Sequence, residues 1–287
     1  MDNNVQSGVI NLGSRPSLAG LGGVALLLVL SVAGAMAGRW TVLIVGWGAF
    51  GALAAAIPLG VRAVRSANAA GLVWGYGLAS GAMITSAAVF LVPQAIGLEP
   101  RIGGFGIAAG ILGGFSAHIL GHRVAHVRSG FDDTGVQLTA HALSAGAIIG
   151  LIYGSMTKPG LLLGLAIVSH KGPAGYAAAR RLAAAGRSVT VLLLPAAGVG
   201  IAAIAVSLLP LPSVPAVNAG VFGFAAGVFL HLAMDFLPRC EVGSEVGEVA
   251  RESADQHALL DRLRVHAVVS TVLGGLAVLG AWLAVGP

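Results

Sequence analysis

Two short strings in the 287-residue chain open on histidine in the same context: HALSAG at His141 and HKGPAG at His170. Each reads His-x-x-x-x-Gly. Neutral imidazole is a good ligand for divalent transition metals, so a matched pair suits one shared ion. The alternative is that each ring bonds a nearby backbone carbonyl. Lys171 and Pro173 follow His170 directly in a run of Ala, Gly, Val and Ile. A lysine is expensive in such a run. Pro173 withholds an N–H from the carbonyl of Ser169, and a carbonyl freed at membrane depth must face protein, water or an ion.

Two further groups carry chemistry. His231 and Asp235 are four apart, hence on one helix face, and Arg239 continues the row past Pro238. Asp235 is the one carboxylate well inside an apolar segment. It reads either as a ligand or proton carrier, or as a boundary ion pair with Arg239 that leaves His231 as packing. His118, His122 and His126 recur every four residues with Arg123 and Arg128 among them. They read either as an inner relay for loosely held metal or as a His-rich helix end at the membrane surface.

These residues must be positioned by membrane helices. Only 9% of the residues are charged, against about 25% in a typical soluble domain. The hydrophobic share is 56% and the mean hydropathy is +0.90. The apolar runs are long enough to cross a bilayer, which takes about 20 helical residues. Nine spans are expected, over 18–37, 41–62, 72–96, 102–126, 137–156, 159–179, 189–209, 216–237 and 263–285. They leave no room for a separate soluble domain. The longest polar segment, 238–262, is acidic and poor in aromatics, and reads as a mobile loop or a short surface helix.

Charge placement sets the orientation. With the N-terminus in the cytoplasm, Arg15, Arg62, Arg65, Arg123, Arg128, Arg180, Arg181, Arg187, Arg239, Arg251, Arg262 and Arg264 fall inside. Only Arg39, Arg101 and Lys158 fall outside. The C-terminus is then outside, at the plasma membrane. This bias accounts for the high pI without nucleic acid. The single Cys240 excludes an intrachain disulfide and a Cys-cluster zinc site. The Gly-x-Gly strings lie in apolar spans, not after a strand, so no nucleotide loop is read. The first span ends AGAMAG. It is either a retained helix or a signal cleaved near Ala35-Met36-Ala37.

With the elements in place, the chain resembles the ZIP (Zrt/Irt-like protein) family of divalent metal transporters over roughly residues 41–285. HALSAG and HKGPAG are similar to that family's His motifs in its fourth and fifth core helices. One branch has His-Lys-x-Pro-Ala in the fifth, as HKGPAG does. GAMITSAAVFLVPQA (81–95) looks like the second core helix and GFAAGVFLHLAMDFLPR (223–239) like the seventh. The resemblance implies an all-α polytopic fold with an eight-helix core (41–287) behind a tail and one extra N-terminal helix (1–40). It implies alternating access by sliding of one helix group against another, and often a homodimer. His141 and His170 match metal-ligand positions, and Met83 matches a site-lining position. Ser144, His231 and Asp235 are secondary candidates along the path.

The departures from the family matter as much. Ala142, Ala145 and Ala174 stand where Asn or carboxylates often stand, and Lys171 stands where Glu, Asn or Gln is usual. A two-metal centre is therefore not reproduced. The Lys171 ammonium either replaces the second cation, bonded to the Ser169 carbonyl, Ser144 or Asp235, or takes part in proton movement. The expected function is movement of a divalent transition metal, zinc first, into the cytoplasm, with the metal as substrate and no organic cofactor. Two rivals stand beside it. One is an integral-membrane metal-dependent hydrolase, with His118, His122, His141, His170, His231 and Asp235 activating water. The other is a ZIP-fold protein that has lost transport.

Overall fold

The computed structural model describes residues 17–64, 68–127, 133–155, 161, 164, 168, 170–210, 214–251 and 255–285; at 118, 120–127, 133, 134, 137, 155 and 285 it describes the backbone alone. The described residues contain helices and no strand. The helices are α1 (Leu18–Met36), α2 (Trp40–Ala63), α3 (Ala69–Ser86), α4 (Val92–Leu98), α5 (Pro100–Val127), α6 (Asp133–Ser155), α7 (Lys171–Ala184), α8 (Leu193–Ser207), α9 (Pro215–Asp235), α10 (Glu245–Ala250) and α11 (Gln256–Val285). Among the described residues six segments are long and apolar enough to cross a membrane: Leu18–Met36, Trp40–Ala63, Ala69–Leu98, Val189–Ser207, Pro215–Asp235 and Gln256–Ala284. They correspond to six of the nine expected spans. Helices α5 and α6 cover two more. Much of the span expected over 159–179 lies outside the described residues, and its later part belongs to α7.

Local chemistry explains where helices begin and stop. The Ser17 side chain accepts from the Gly20 N–H at 3.2 Å, and the Asn68 side chain accepts from the Gly71 N–H at 2.9 Å. Each satisfies an N–H that has no partner in the first turn. Helix α7 ends where Gly186 takes φ +67°, a conformation an L side chain rarely adopts. Between α3 and α4 the helix widens into a π turn, Ala87–Leu91, followed at once by Pro93. The proline ring would crowd the carbonyl four residues back, and the wider turn accommodates it without ending the span.

Packing is organised by small residues. In lipid, apolar burial gives helices little reason to associate, so close van der Waals contact dominates. Gly106 and Gly110 of α5 meet Gly223 and Gly227 of α9. A methyl group added at Gly106 would come within 3.1 Å of the Gly223 Cα, and one at Gly110 within 2.9 Å of the Gly227 Cα. Gly77 and Gly81 of α3 face Ser270 and Thr271 of α11. Gly46 of α2 meets Gly200 of α8; Gly146 and Gly150 of α6 lie on the Val199 and Ala203 carbonyls of α8; Gly175 of α7 lies on the Leu53 carbonyl of α2. Helix α1 joins through Gly23 against Leu194, and the Trp47 indole N–H donates to the Ser31 hydroxyl at 3.0 Å.

These seams sort the helices into two groups. One holds α1, α2, α6, α7 and α8. The other holds α3 with α4, α5, α9 and α11. Among the described residues, every tight approach of a glycine to another helix's backbone falls within one group. Across the boundary the glycine contact is looser, Gly75 of α3 against the Tyr176 ring of α7 at 3.9 Å.

The acidic segment after α9 does not stand free. Ser244 caps α10 by accepting from the Gly247 N–H at 3.0 Å. Val246, Ala250 and Cys240 are buried with Ala69, Leu72, Val73, Leu260 and Leu263. Burial pushes the Cys240 thiol above its ordinary range, with Arg264 acting weakly in the other direction. A raised value keeps the thiol protonated at neutral pH, where the unreactive form dominates.

Three outcomes follow from this packing. Gly110→Leu lowers stability by about 1–3 kcal/mol, read as a lower midpoint of thermal unfolding in detergent. Gly104→Ala, with open space around it, leaves that midpoint nearly unchanged. Cys240 reacts with iodoacetamide at pH 7.5 well below the rate of an unstructured cysteine, about 8.5 in pKa, and accelerates only at higher pH. Equal rates would contradict its burial.

Candidate functional site

Helix α6 carries His141 about a third of the way along its length, and the turn before α7 carries His170. The two rings meet. Their Nε2 atoms are 3.3 Å apart, with ring centroids at 5.5 Å and planes at 59°. His170 is fully buried and His141 half-buried. Two imidazole ligands on tetrahedral zinc, with Zn–N bonds of 2.0–2.1 Å, hold their nitrogens about 3.3 Å apart. The separation also suits a long hydrogen bond from one Nε2–H to the other ring. In either arrangement both rings point one nitrogen at the same place.

The surroundings are apolar and small. Ala142, Ala145 and Ala174 are buried, at 1%, 3% and 3% exposure, and supply only volume. Phe229 of α9 sets its ring at right angles to His170, centroids 5.4 Å apart. The histidines come from one helix group and Phe229 from the other, so the pair lies at the boundary between the groups. Met83 is fully buried in the same apolar cluster as Ala142, Val168 and Phe229.

Lys171 is the first residue of α7 and is 1% exposed. Among the described residues no carboxylate pairs with it. The expected reach to Asp235 is not made: Asp235 lies 3.3 Å from His231 on its own helix, Oδ2 to Nε2. The boundary pair of Asp235 with Arg239 is likewise not formed among the described residues. His231 fits into a notch left by Gly114, where an added methyl group would come within 2.6 Å of its ring, and Phe115 stands edge-on at 6.4 Å. Steric fit on α5 and the turn spacing of α9 thus fix His231 and Asp235 to each other.

Two other residues differ from their expected settings. Ser144 is exposed, and its hydroxyl donates to the Ala140 carbonyl at 2.9 Å, one turn back on its own helix. A serine in a membrane helix satisfies its hydroxyl this way when no other acceptor is near. Pro173, within the expected span over 159–179, stands in the first turn of α7, after a turn at His170. N–H groups in a first turn have no partner in their own helix, so proline is tolerated there. The Ser169 carbonyl and the side chains of His118, His122 and His126 lie outside the described residues.

Among the described residues no three of His, Cys, Asp and Glu converge closely enough to enclose a metal ion. The histidine pair and the His231–Asp235 pair stay two separate constellations. Sequence reading missed two contributors. Phe229 carries no signal beyond being an aromatic in an apolar span. Glu245, which gathers Tyr76, Arg180 and Arg181 around it, had one: Ser244 as a cap, acid in the first turn, and Val246, Val249 and Ala250 at helical spacing.

No protein-family model matches the chain, and no curated protein sequence matches it.

The lysine supplies the test of the site's electrostatics. Replacing a buried ammonium that no described carboxylate pairs by an apolar side chain of similar length is stabilising on the order of 1 kcal/mol or more. Lys171→Met therefore unfolds at a higher temperature than wild type. Scanning calorimetry in detergent reads the midpoint, and an unchanged or lower midpoint would show that the lysine does not destabilise the fold.

Proposed function

We propose that this chain is a ZIP-like membrane transporter that moves a divalent transition metal, zinc first, into the cytoplasm, with His141 and His170 as its central ligands. The observation that carries the reading is the pair of Nε2 atoms 3.3 Å apart. They are presented by separate elements at the boundary between two helix groups. The similarity of HALSAG and HKGPAG to that family's motifs supports it independently. The rest of the resemblance, including the eight-helix core, the inward direction, the plasma membrane and a homodimer, belongs to the same proposal.

The chemistry of the pair suits cargo better than a resident cofactor. Catalytic zinc is generally held by three protein ligands, with water at the fourth position. Two neutral imidazoles beside an ammonium bind a dication weakly, and a transported ion must be able to leave. The ion's remaining positions are then filled by water or by carbonyls as it passes. Met83 is a soft candidate ligand on the second helix group. His231 with Asp235 forms a second station on α9, and His118, His122 and His126 an inner relay.

Reconstitution in liposomes with an internal zinc dye tests this. His141→Ala and His170→Ala each reduce uptake at low zinc by at least the ~10–100-fold that outer-shell partners of metal ligands cost. Ser144→Ala leaves it near wild type. Uptake that survives the double change His141→Ala, His170→Ala would sink the assignment. No movement of zinc, iron, manganese or cadmium under any gradient would favour the hydrolase or the transport-silent reading.

A further inference from the structure

Glu245, the first residue of α10, joins residues from both helix groups. The Tyr76 hydroxyl of α3 donates to its Oε2 at 2.8 Å. The Arg181 guanidinium of α7 donates to the same oxygen at 2.7 Å, and an Arg180 nitrogen lies 3.7 Å from Oε1. Tyr76 is braced in turn by Phe236, edge-on at 5.7 Å. Helix α10 therefore bridges the boundary at the end of α7 opposite His170.

The two sides of the bridge differ in kind. Toward α3 and α11 the attachment is burial: Val246 and Ala250 pack with Ala69, Leu72, Val73, Leu260 and Leu263, and the Gln256 amide donates to the Gly247 carbonyl at 2.8 Å. Toward α7 it is mostly charge, with the Tyr176 ring as the apolar supplement. The charged side is half open to solvent; Arg180, Glu245 and Arg181 are 12%, 28% and 58% exposed. Buried apolar contacts hold continuously, whereas ion pairs of this exposure are weak, screened and remade readily. Helix α7 is also the element that begins at Lys171, beside His170. Ten residues of rigid helix, ~15 Å, separate Lys171 from Arg181, so a shift at one end appears at the other.

We propose that Glu245, Tyr76, Arg180 and Arg181 form a reversible latch that pins the end of α7 to the α3–α11 group and closes this end of the boundary. The latch opens when α7 moves with its own group. Its use in transport rests on the reading above; its existence does not.

Spin labels at Ala185 and Val242, both exposed, placed in a Cys240→Ala background, report the gap by pulsed electron resonance in liposomes. The unmodified latch gives one dominant distance. Glu245→Gln and Arg181→Gln each add a second population several ångströms longer, as does molar salt. Tyr76→Phe gives a smaller share of it. The charge exchange Glu245→Arg with Arg181→Glu restores the single distance. A Glu245→Gln distribution superimposable on wild type would overturn the latch, as would the same result for Arg181→Gln should Glu245→Gln not fold. Zinc uptake on the same samples separates the two readings. Absent uptake with a salt-sensitive gap counts against transport alone, and normal uptake with an invariant gap counts against the latch alone.

Discussion

Backbone-to-backbone contact between helices is the constraint on which this molecule rests. Lipid is as apolar as leucine, so helices in it are held by how closely their surfaces meet. Gly106 and Gly110 against Gly223 and Gly227, or Gly46 against Gly200, bring backbones together where any side chain would hold them apart. Because such seams are confined to two sets of helices, the protein divides into two bodies with a looser boundary. The histidine pair and the Glu245 cluster lie on that boundary. It is where two surfaces can part without breaking a seam.

The electrostatics of the histidine pair follow from what its neighbours lack. Ala142, Ala145 and Ala174 contribute no charge, and Lys171, when protonated, has the wrong sign for holding a cation. On the proposed reading, such a site would hold a dication weakly, as a passing cargo requires. His231 and Asp235, 3.3 Å apart on α9, form a separate pair.

The residues most visible in the sequence were those whose cost in a membrane is highest. His141 and His170 stood out by matched context, and the structure brings them together. Six of the expected spans correspond to long apolar helices, because hydropathy and length alone decide that property. What could not be read was direction and distance. Ser144 lies three residues after His141, yet its hydroxyl serves its own helix, since a one-carbon side chain reaches the nearest carbonyl first. Asp235 is shallower than Lys171 by counting, though within a stretched side chain's reach, but the two belong to helices whose relative rotation no count supplies. Glu245 was hidden differently. Its segment has the composition of a mobile loop, and its hydroxyl partner, Tyr76, is 169 residues away.

The π turn at Ala87–Leu91 has a geometric consequence for the span it interrupts. Met83, Ala87, Leu91 and Ala95 are all fully buried. Their spacing of four residues would drift around a regular α-helix by about 40° at each step. Over three steps the stripe would leave its neighbours and turn toward lipid. A wider turn slows the rotation, so one buried line runs from Met83 past Pro93 to the end of the span. Register is therefore this segment's most vulnerable property. Losing a single residue between Ala87 and Leu91 would rotate everything beyond it by roughly a quarter of a circle, although every remaining side chain would still be suitable for a membrane.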